Sequence, residues 1–200
     1  PAVSPDPRSE TMMSFDSTRN VAIVVGGVGG PFNSDTWAWD GVAGTWTLVT
    51  TNDIGIRARA ALAYDPVRDR TVMFGGYFGV ANNETSEMEW TGPASATWVK
   101  KTPATSPTAY RFPFATFDTI RKRVLMYGNI EGDSGLWEWD GTNWEQRGPG
   151  GLSPLARGFP STSFDSDRKE WMLFGGTTGI AQNDTWEWNG SSWHKRSPAT

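Results

Sequence analysis

Arginine is the residue type whose placement in this 200-residue sequence most suggests binding chemistry. Arg8, Arg57 and Arg157 each stand eight residues before an Asp that follows an aromatic residue; in the corresponding slot of a further copy Tyr110 is followed by Arg111. A guanidinium offers a carboxylate two parallel charge-assisted hydrogen bonds, so the set suits an acidic ligand. It suits equally the carbonyls of neighbouring loops. A second set, Arg19, Arg68, Arg121 and Arg168, stands three residues after the same Asp, a spacing that reads as an ion pair inside a turn. Other chemistry has few candidates. The chain has no cysteine, which excludes disulfides, thiolate metal sites and cysteine nucleophiles. His194 is the single histidine; a multi-histidine metal site cannot be built, and beside Lys195 and Arg196 it reads as an exposed edge residue. The run Gly26-Gly27-Val28-Gly29-Gly30 is followed by no Lys-Ser/Thr pair and recurs as Gly75-Gly76 and Gly175-Gly176, so it reads as a strand end rather than a phosphate loop. Glu131-Gly132-Asp133-Ser134 is acidic but lacks the ligand spacing of a calcium loop. The expectation is no catalytic residue, no metal and no cofactor.

The elements that must position these side chains follow from a repeat. Asp16, Asp65, Asp118 and Asp165 recur at spacings of 49, 53 and 47 residues, each after Phe or Tyr. Ten residues after each comes a Gly (Gly26, Gly75, Gly128, Gly175), then an aromatic pair such as Trp137-Glu138-Trp139, then a closing Trp (Trp46, Trp98, Trp144, Trp193). Eleven of the twelve tryptophans occupy these slots; Trp171 does not. Each unit reads as four short strands. The first, rich in small residues, is expected at Thr11–Phe15, Ala60–Tyr64, Pro113–Phe117 and Pro160–Phe164. The second is an apolar run such as Val124–Tyr127. The third carries the Trp pair, and the fourth starts at the closing Trp after Asp-Gly or Asn-Gly turns. No segment keeps a helical period with caps at both ends. Four-stranded units of this length predict an all-β fold, a β-propeller with blades at about 8–56, 57–109, 110–156 and 157–200 of one domain spanning 1–200. Tryptophans then fill the wedges between blades, and the small-residue strands line the axis.

The Gly-Gly doublet after an apolar strand, Asn183-Asp184-Thr185-Trp186-Glu187-Trp188-Asn189-Gly190 and the closing Trp193 resemble kelch repeats, in particular the bacterial variety similar to the galactose oxidase propeller. The resemblance covers about residues 8–196. Two copies depart from the pattern: Asn129 replaces the second Gly of the third, and Met88 the first Trp of the second. Kelch propellers have six or seven blades, and four are present here. The end segments Pro1–Pro5 and Ser197–Thr200 resemble the linker Thr102-Pro103-Ala104-Thr105. The expectation is therefore a closed four-blade ring, a piece of a longer array, or half of a dimeric eight-blade ring, with a homodimer as one outcome. Copper-radical chemistry of the galactose oxidase kind needs Cys and two His, which are absent. The sialidase Asp-box is matched only in its tail, Asp35-Thr36-Trp37.

Function is less specified than fold. A net charge of −4, from 18 basic and 22 acidic residues, argues against nucleic acid, and Val21–Gly30 is too short to cross a membrane. The expected function is a non-catalytic binding or scaffold module working through one loop face. Arg8, Arg57, Tyr110, Arg111 and Arg157 are expected at the channel mouth, with Phe32, Tyr77 and Phe78 as loop-face aromatics. In the kelch propellers that the chain resembles, arginines at this place contact acidic partners, which implies an acidic peptide or protein surface. A carbohydrate-binding propeller for acidic sugars is the alternative, and a sugar-modifying enzyme a third. The resemblance also implies a bacterial secreted or cell-surface protein.

Overall fold

The computed structural model describes residues 3–29, 33–51, 54–110, 112–128, 135–148 and 151–197. In the first blade β1 (Arg8–Ser9) leads into β2 (Met12–Asp16) and β3 (Val21–Val25); β4 (Val28–Gly29) pairs back on β1, and β5 (Thr36–Asp40) and β6 (Thr45–Thr50) complete the sheet. The second blade consists of β7 (Ala61–Asp65), β8 (Arg70–Phe74), β11 (Thr85–Gly92) and β12 (Ser95–Lys101). A ribbon of β9 (Tyr77–Phe78) and β10 (Val80–Ala81) lies between its second and third strands. The third is β13 (Phe114–Asp118), β14 (Arg123–Tyr127), β15 (Leu136–Trp139) and β16 (Trp144–Arg147); the fourth is β17 (Ser161–Asp165), β18 (Glu170–Phe174), β19 (Thr185–Trp188) and β20 (Trp193–Arg196). Each sheet is an antiparallel meander in chain order, so the all-β, four-blade propeller expected from the repeat is the fold. The innermost strands begin one residue later than the sequence pattern places them.

The first hairpin of every blade is built on the repeated Asp. Asp118 Oδ1 accepts the backbone N–H groups of Ile120 and Arg121, each at 2.9 Å, and its Oδ2 takes Arg121 Nη1 at 2.7 Å. Asp16, Asp65 and Asp165 do the same with their own turns. The residue four after each Asp (Asn20, Asp69, Lys122, Lys169) has positive φ, which closes the turn into the second strand. The turn arginine does more than the expected local pairing. Arg68 reaches the Asp140 carbonyl of the next blade, and Arg121 reaches the Asn189 carbonyl at 2.5 Å. Gly141 and Gly190, with φ of 96° and 93°, lie against these guanidinium groups in the third-to-fourth-strand turns, where the backbone conformation favours glycine.

The apolar core is divided into three wedges, one at each junction between consecutive blades. β2 packs on β7, β7 on β13 and β13 on β17, so the small-residue strands lie together at the axis. Tryptophans cross the wedges with their apolar bodies buried, and three of them place their N–H groups on acceptors of the preceding blade. Trp98 Nε1 donates to Thr36 Oγ1 at 2.9 Å and Trp144 Nε1 to Thr85 Oγ1 at 2.8 Å; Trp139 Nε1 donates to Glu87 Oε1 at 2.8 Å. Trp171, outside the repeat pattern, is fully buried against Phe114 in the third wedge.

The buried turn aspartates should be unequal in their stabilising effect. Asp118 has no exposed surface, whereas the Asp165 side chain is partly open in the last blade. Asp118→Ala strands two backbone N–H groups and a guanidinium and should cost about 3 kcal/mol; Asp165→Ala should cost clearly less. Urea unfolding of both variants checks the order, and equal losses would contradict it.

Candidate functional site

The three arginines that enter the blades are buried clamps. Arg8 forms a two-pronged pair with Asp35, Nη1 to Oδ1 at 2.5 Å and Nη2 to Oδ2 at 3.0 Å; its remaining donors go to the Gly26 and Asp6 carbonyls. Arg157 repeats this with Asp184 at 2.6 and 3.2 Å and with the Gly175 and Leu155 carbonyls. Arg57 pairs with Glu84, while its Nε and Nη1 are buried without an acceptor. Of the two roles left open by the sequence, these contacts follow the one that ties the arginines to neighbouring loops, with a carboxylate added. Tyr110 takes the equivalent position, fully buried and edge-on to Phe74 with ring centroids 6.0 Å apart. The glycine doublets complete the same seam: Gly27 N donates to the Arg57 carbonyl at 2.9 Å and Gly76 N to the Tyr110 carbonyl at 3.1 Å. Their N–H groups are consumed by the next blade, in keeping with the strand-end reading.

Arg111 and Phe32 lie outside the described residues, as does the acidic run Glu131–Ser134. Tyr77 is half-buried and tied by its backbone to Ala58; Phe78 lies in the β9–β10 ribbon. His194 is exposed, with Nε2 3.0 Å from Asn189 Nδ2 and from Ser192 Oγ. Among the described residues no three His, Cys, Asp or Glu side chains converge as metal ligands would.

The side chains at the axial mouth are those two residues further on. Glu10, Arg59, Phe112 and Phe159 occupy one equivalent position, six residues before the repeated Asp, and together line a cleft of about 310 Å³ with Met12, Phe114 and Pro160. They form a continuous strip. Glu10 is ion-paired with Arg59; the Arg59 guanidinium lies over the Phe112 ring, 4.9 Å from its centroid; Phe112 and Phe159 are in contact with centroids 4.6 Å apart. Glu10, Arg59 and Phe159 all have φ between 56° and 59°. That conformation is unfavourable for side chains of this bulk. Arg59 Nε is shielded from solvent and has no acceptor. The repeat held the signal for this strip: the clamp slot is Arg, Arg, Tyr, Arg, whereas the mouth slot is Glu, Arg, Phe, Phe. Sameness between blades marks a position serving the scaffold, and variation frees a position for a ligand.

No protein-family model and no curated protein matches the chain. Solved structures do match it. One of them, titled "Structure of YjhT", aligns with 96% of this chain and 70% of its own length at a TM-score of 0.73 and 16% identity. At that identity the likeness establishes the propeller fold alone.

The clamps give the mouth an acid limit. The Arg157 guanidinium, helped by the Trp186 N–H and opposed by burial, holds the Asp184 carboxyl at about 2, below its ordinary 3.8. An unfolded chain takes up that proton at the higher value. The clamp's contribution is therefore complete above about pH 4 and is lost as the pH falls toward 2. Asp184→Asn should lower the melting temperature at neutral pH and flatten its decline between pH 4 and 2, measured by scanning calorimetry against the parent protein. An unchanged slope would show that Asp184 is not linked to folding.

Proposed function

We propose that this is a non-catalytic kelch-type propeller that binds an acidic peptide or protein surface at the axial mouth, across the Glu10–Arg59–Phe112–Phe159 strip. The observation that carries this reading is the state of Arg59. Its guanidinium is spread over an aromatic face with one donor unused, and its present partner, Glu10, is a side chain that an incoming carboxylate can replace. A ligand carboxylate would take Arg59 in a two-pronged contact strengthened by the ring beneath. Beside it Phe159, 64% exposed, offers an apolar seat. Covering such a face contributes about 2 kcal/mol. Three of the four strip residues, Glu10, Arg59 and Phe159, held at positive φ also support a binding role, because backbone strain of this kind persists where it presents side chains to a ligand. The kelch assignment rests on the doublet and Trp pattern of the repeats. The reading assigns no catalytic residue, metal or cofactor, and it places Arg8, Arg57 and Arg157 behind the binding surface as its support.

A carbohydrate ligand is the second reading, favoured by the paired Phe112 and Phe159 rings next to a cation, a surface on which an acidic sugar can lie. One array of acidic peptides and of sialylated and uronic glycans separates the two. The expected result is peptide binding that weakens about tenfold or more in Arg59→Ala and in Phe159→Ala, since each contact is worth at least about 1.4 kcal/mol. Glycan binding lost in the same variants would support the second reading. Binding indifferent to both substitutions would remove the mouth from consideration.

A further inference from the structure

Three junctions between blades are packed, and the two faces that would make a fourth are both bare. On its forward side each blade presents an apolar residue at the end of its second strand to the blade that follows. Val25, Phe74 and Tyr127 are 0–1% exposed there, but Phe174 in the last blade is 53% exposed. On its rear side each blade presents its innermost strand to the blade before. Leu62 and Tyr64 are 7% and 5% exposed, but their equivalents in the first blade, Met13 and Phe15, are 69% and 54% exposed.

The polar groups at the two bare faces match in the same way. At the junction of the second and third blades a Trp pair of the later blade is received by a Thr and a Glu of the earlier one, Trp144 by Thr85 and Trp139 by Glu87. The first blade holds the corresponding pair, Trp46 and Trp39, half-buried and tilted against each other with ring centroids 5.2 Å apart. The last blade holds the corresponding receptors, Thr185 and Glu187. At two of the three junctions a turn arginine of the earlier blade also covers a glycine turn of the later one, as Arg68 covers Asp140-Gly141 and Arg121 covers Asn189-Gly190. Arg168 has no such turn to reach and folds back onto Glu187 at 2.7 Å; Gly41, in the corresponding turn of the first blade, has only its own neighbour Trp39 within reach.

We infer that the last blade of one copy docks on the first blade of a second copy, twice over, so that two chains close one eight-blade ring. Every group needed for both new junctions is on a single chain, and the two faces are complementary to each other rather than to themselves. A twofold axis therefore makes both contacts at once. On docking, Glu187 keeps Arg196 and exchanges Arg168 for the Trp39 N–H of the other copy, as Glu87 keeps Lys101 while accepting Trp139. Arg168 is released to the Asp40 carbonyl of the other copy, which has a second lone pair for it. Phe15 and Phe174 are 54% and 53% exposed, Met13 69%, and Trp39 and Trp46 are half-buried, so docking covers the remaining apolar surface of all five at each of two junctions. This assembly involves a surface separate from the axial mouth and stands whatever the mouth binds.

Light scattering after gel filtration should give a mass near 44 kDa, twice that of the 22.0 kDa chain. Phe174→Asp and Met13→Asp, both at exposed positions, should each return it to 22.0 kDa without changing the circular dichroism spectrum. The chain has no cysteine, so Gly41→Cys and Arg168→Cys can be made as separate proteins. Mixed and treated with a short bismaleimide, they should give a cross-linked pair that neither gives alone. A single-chain mass at every concentration overturns the inference and points to blades of another origin as the occupant. A dimer that survives both Asp variants overturns it as well, and so does a cross-link formed within one chain carrying both cysteines, which would mean that the four blades close on themselves.

Discussion

A blade of four strands has two apolar faces and no way to cover either by itself, and everything else in this molecule follows from how that is resolved. The device is the indole. Its ring area fills the wedge that opens between two sheets diverging from an axis, and in Trp98, Trp139 and Trp144 the N–H, which would be costly to bury unpaired, is aimed at a hydroxyl or carboxylate of the blade before. Thr36, Thr85 and Glu87 are therefore buried polar residues with a defined duty: each terminates a tryptophan from the next blade. The direction of the bond gives the first two junctions a polarity, with donors on the later blade and acceptors on the earlier one. Stability in such an array is a sum over junctions more than over blades, and a junction is formed only when both unlike faces are present.

Charge is organised on the same plan. Each turn arginine begins as the partner of its own Asp, but Arg68 and Arg121 use their outer nitrogens on the following blade, so a local turn motif becomes a tie between sheets. Nearer the mouth, Arg8 and Arg157 hold a carboxylate at the start of the third strand together with the carbonyl of the glycine that ends the second. Those clamps fix where the chain enters the innermost strand. With the entry fixed, the next two residues can be held in a conformation that a free loop would abandon, and side chains as different as Glu, Arg and Phe can occupy equivalent places.

This explains what could be seen in the sequence and what could not. The turns, the strand order and the wedge tryptophans are encoded by short-range rules: Asp bonding its own turn, a continuous apolar run, Asp-Gly before the last strand. Each was legible because the residues concerned are close in the chain and recur from unit to unit. The arginine clamps were visible as a set, but their partners Asp35, Glu84 and Asp184 lie 27 residues away and were not paired with them. The mouth strip lies only two residues from the slot expected to form it. It was missed because the left-handed backbone at Glu10, Arg59 and Phe159 turns those side chains toward the axis, and charged or aromatic residues carry no local signal for that conformation. Phe32 and Arg111 fall outside the described residues and add nothing to either account.

The two surfaces left open on the molecule differ in kind for a physical reason. The mouth strip is heterogeneous, with one anion, one cation and two rings at equivalent positions lining one cleft. The bare blade faces are homogeneous with the interior: Phe174, Met13, Trp39 and Trp46 stand in the register of residues that are elsewhere buried or half-buried, and Thr185 and Glu187 in that of the indole acceptors Thr85 and Glu87. A surface selected for recognition is free to diverge from repeat to repeat, whereas a surface selected for closure must repeat the junction. By that criterion the first is read as a place for a foreign ligand and the second as a place for another blade of the same design. The axial position of the strip links them, because whatever occupies the bare faces also sets how far the mouth opens.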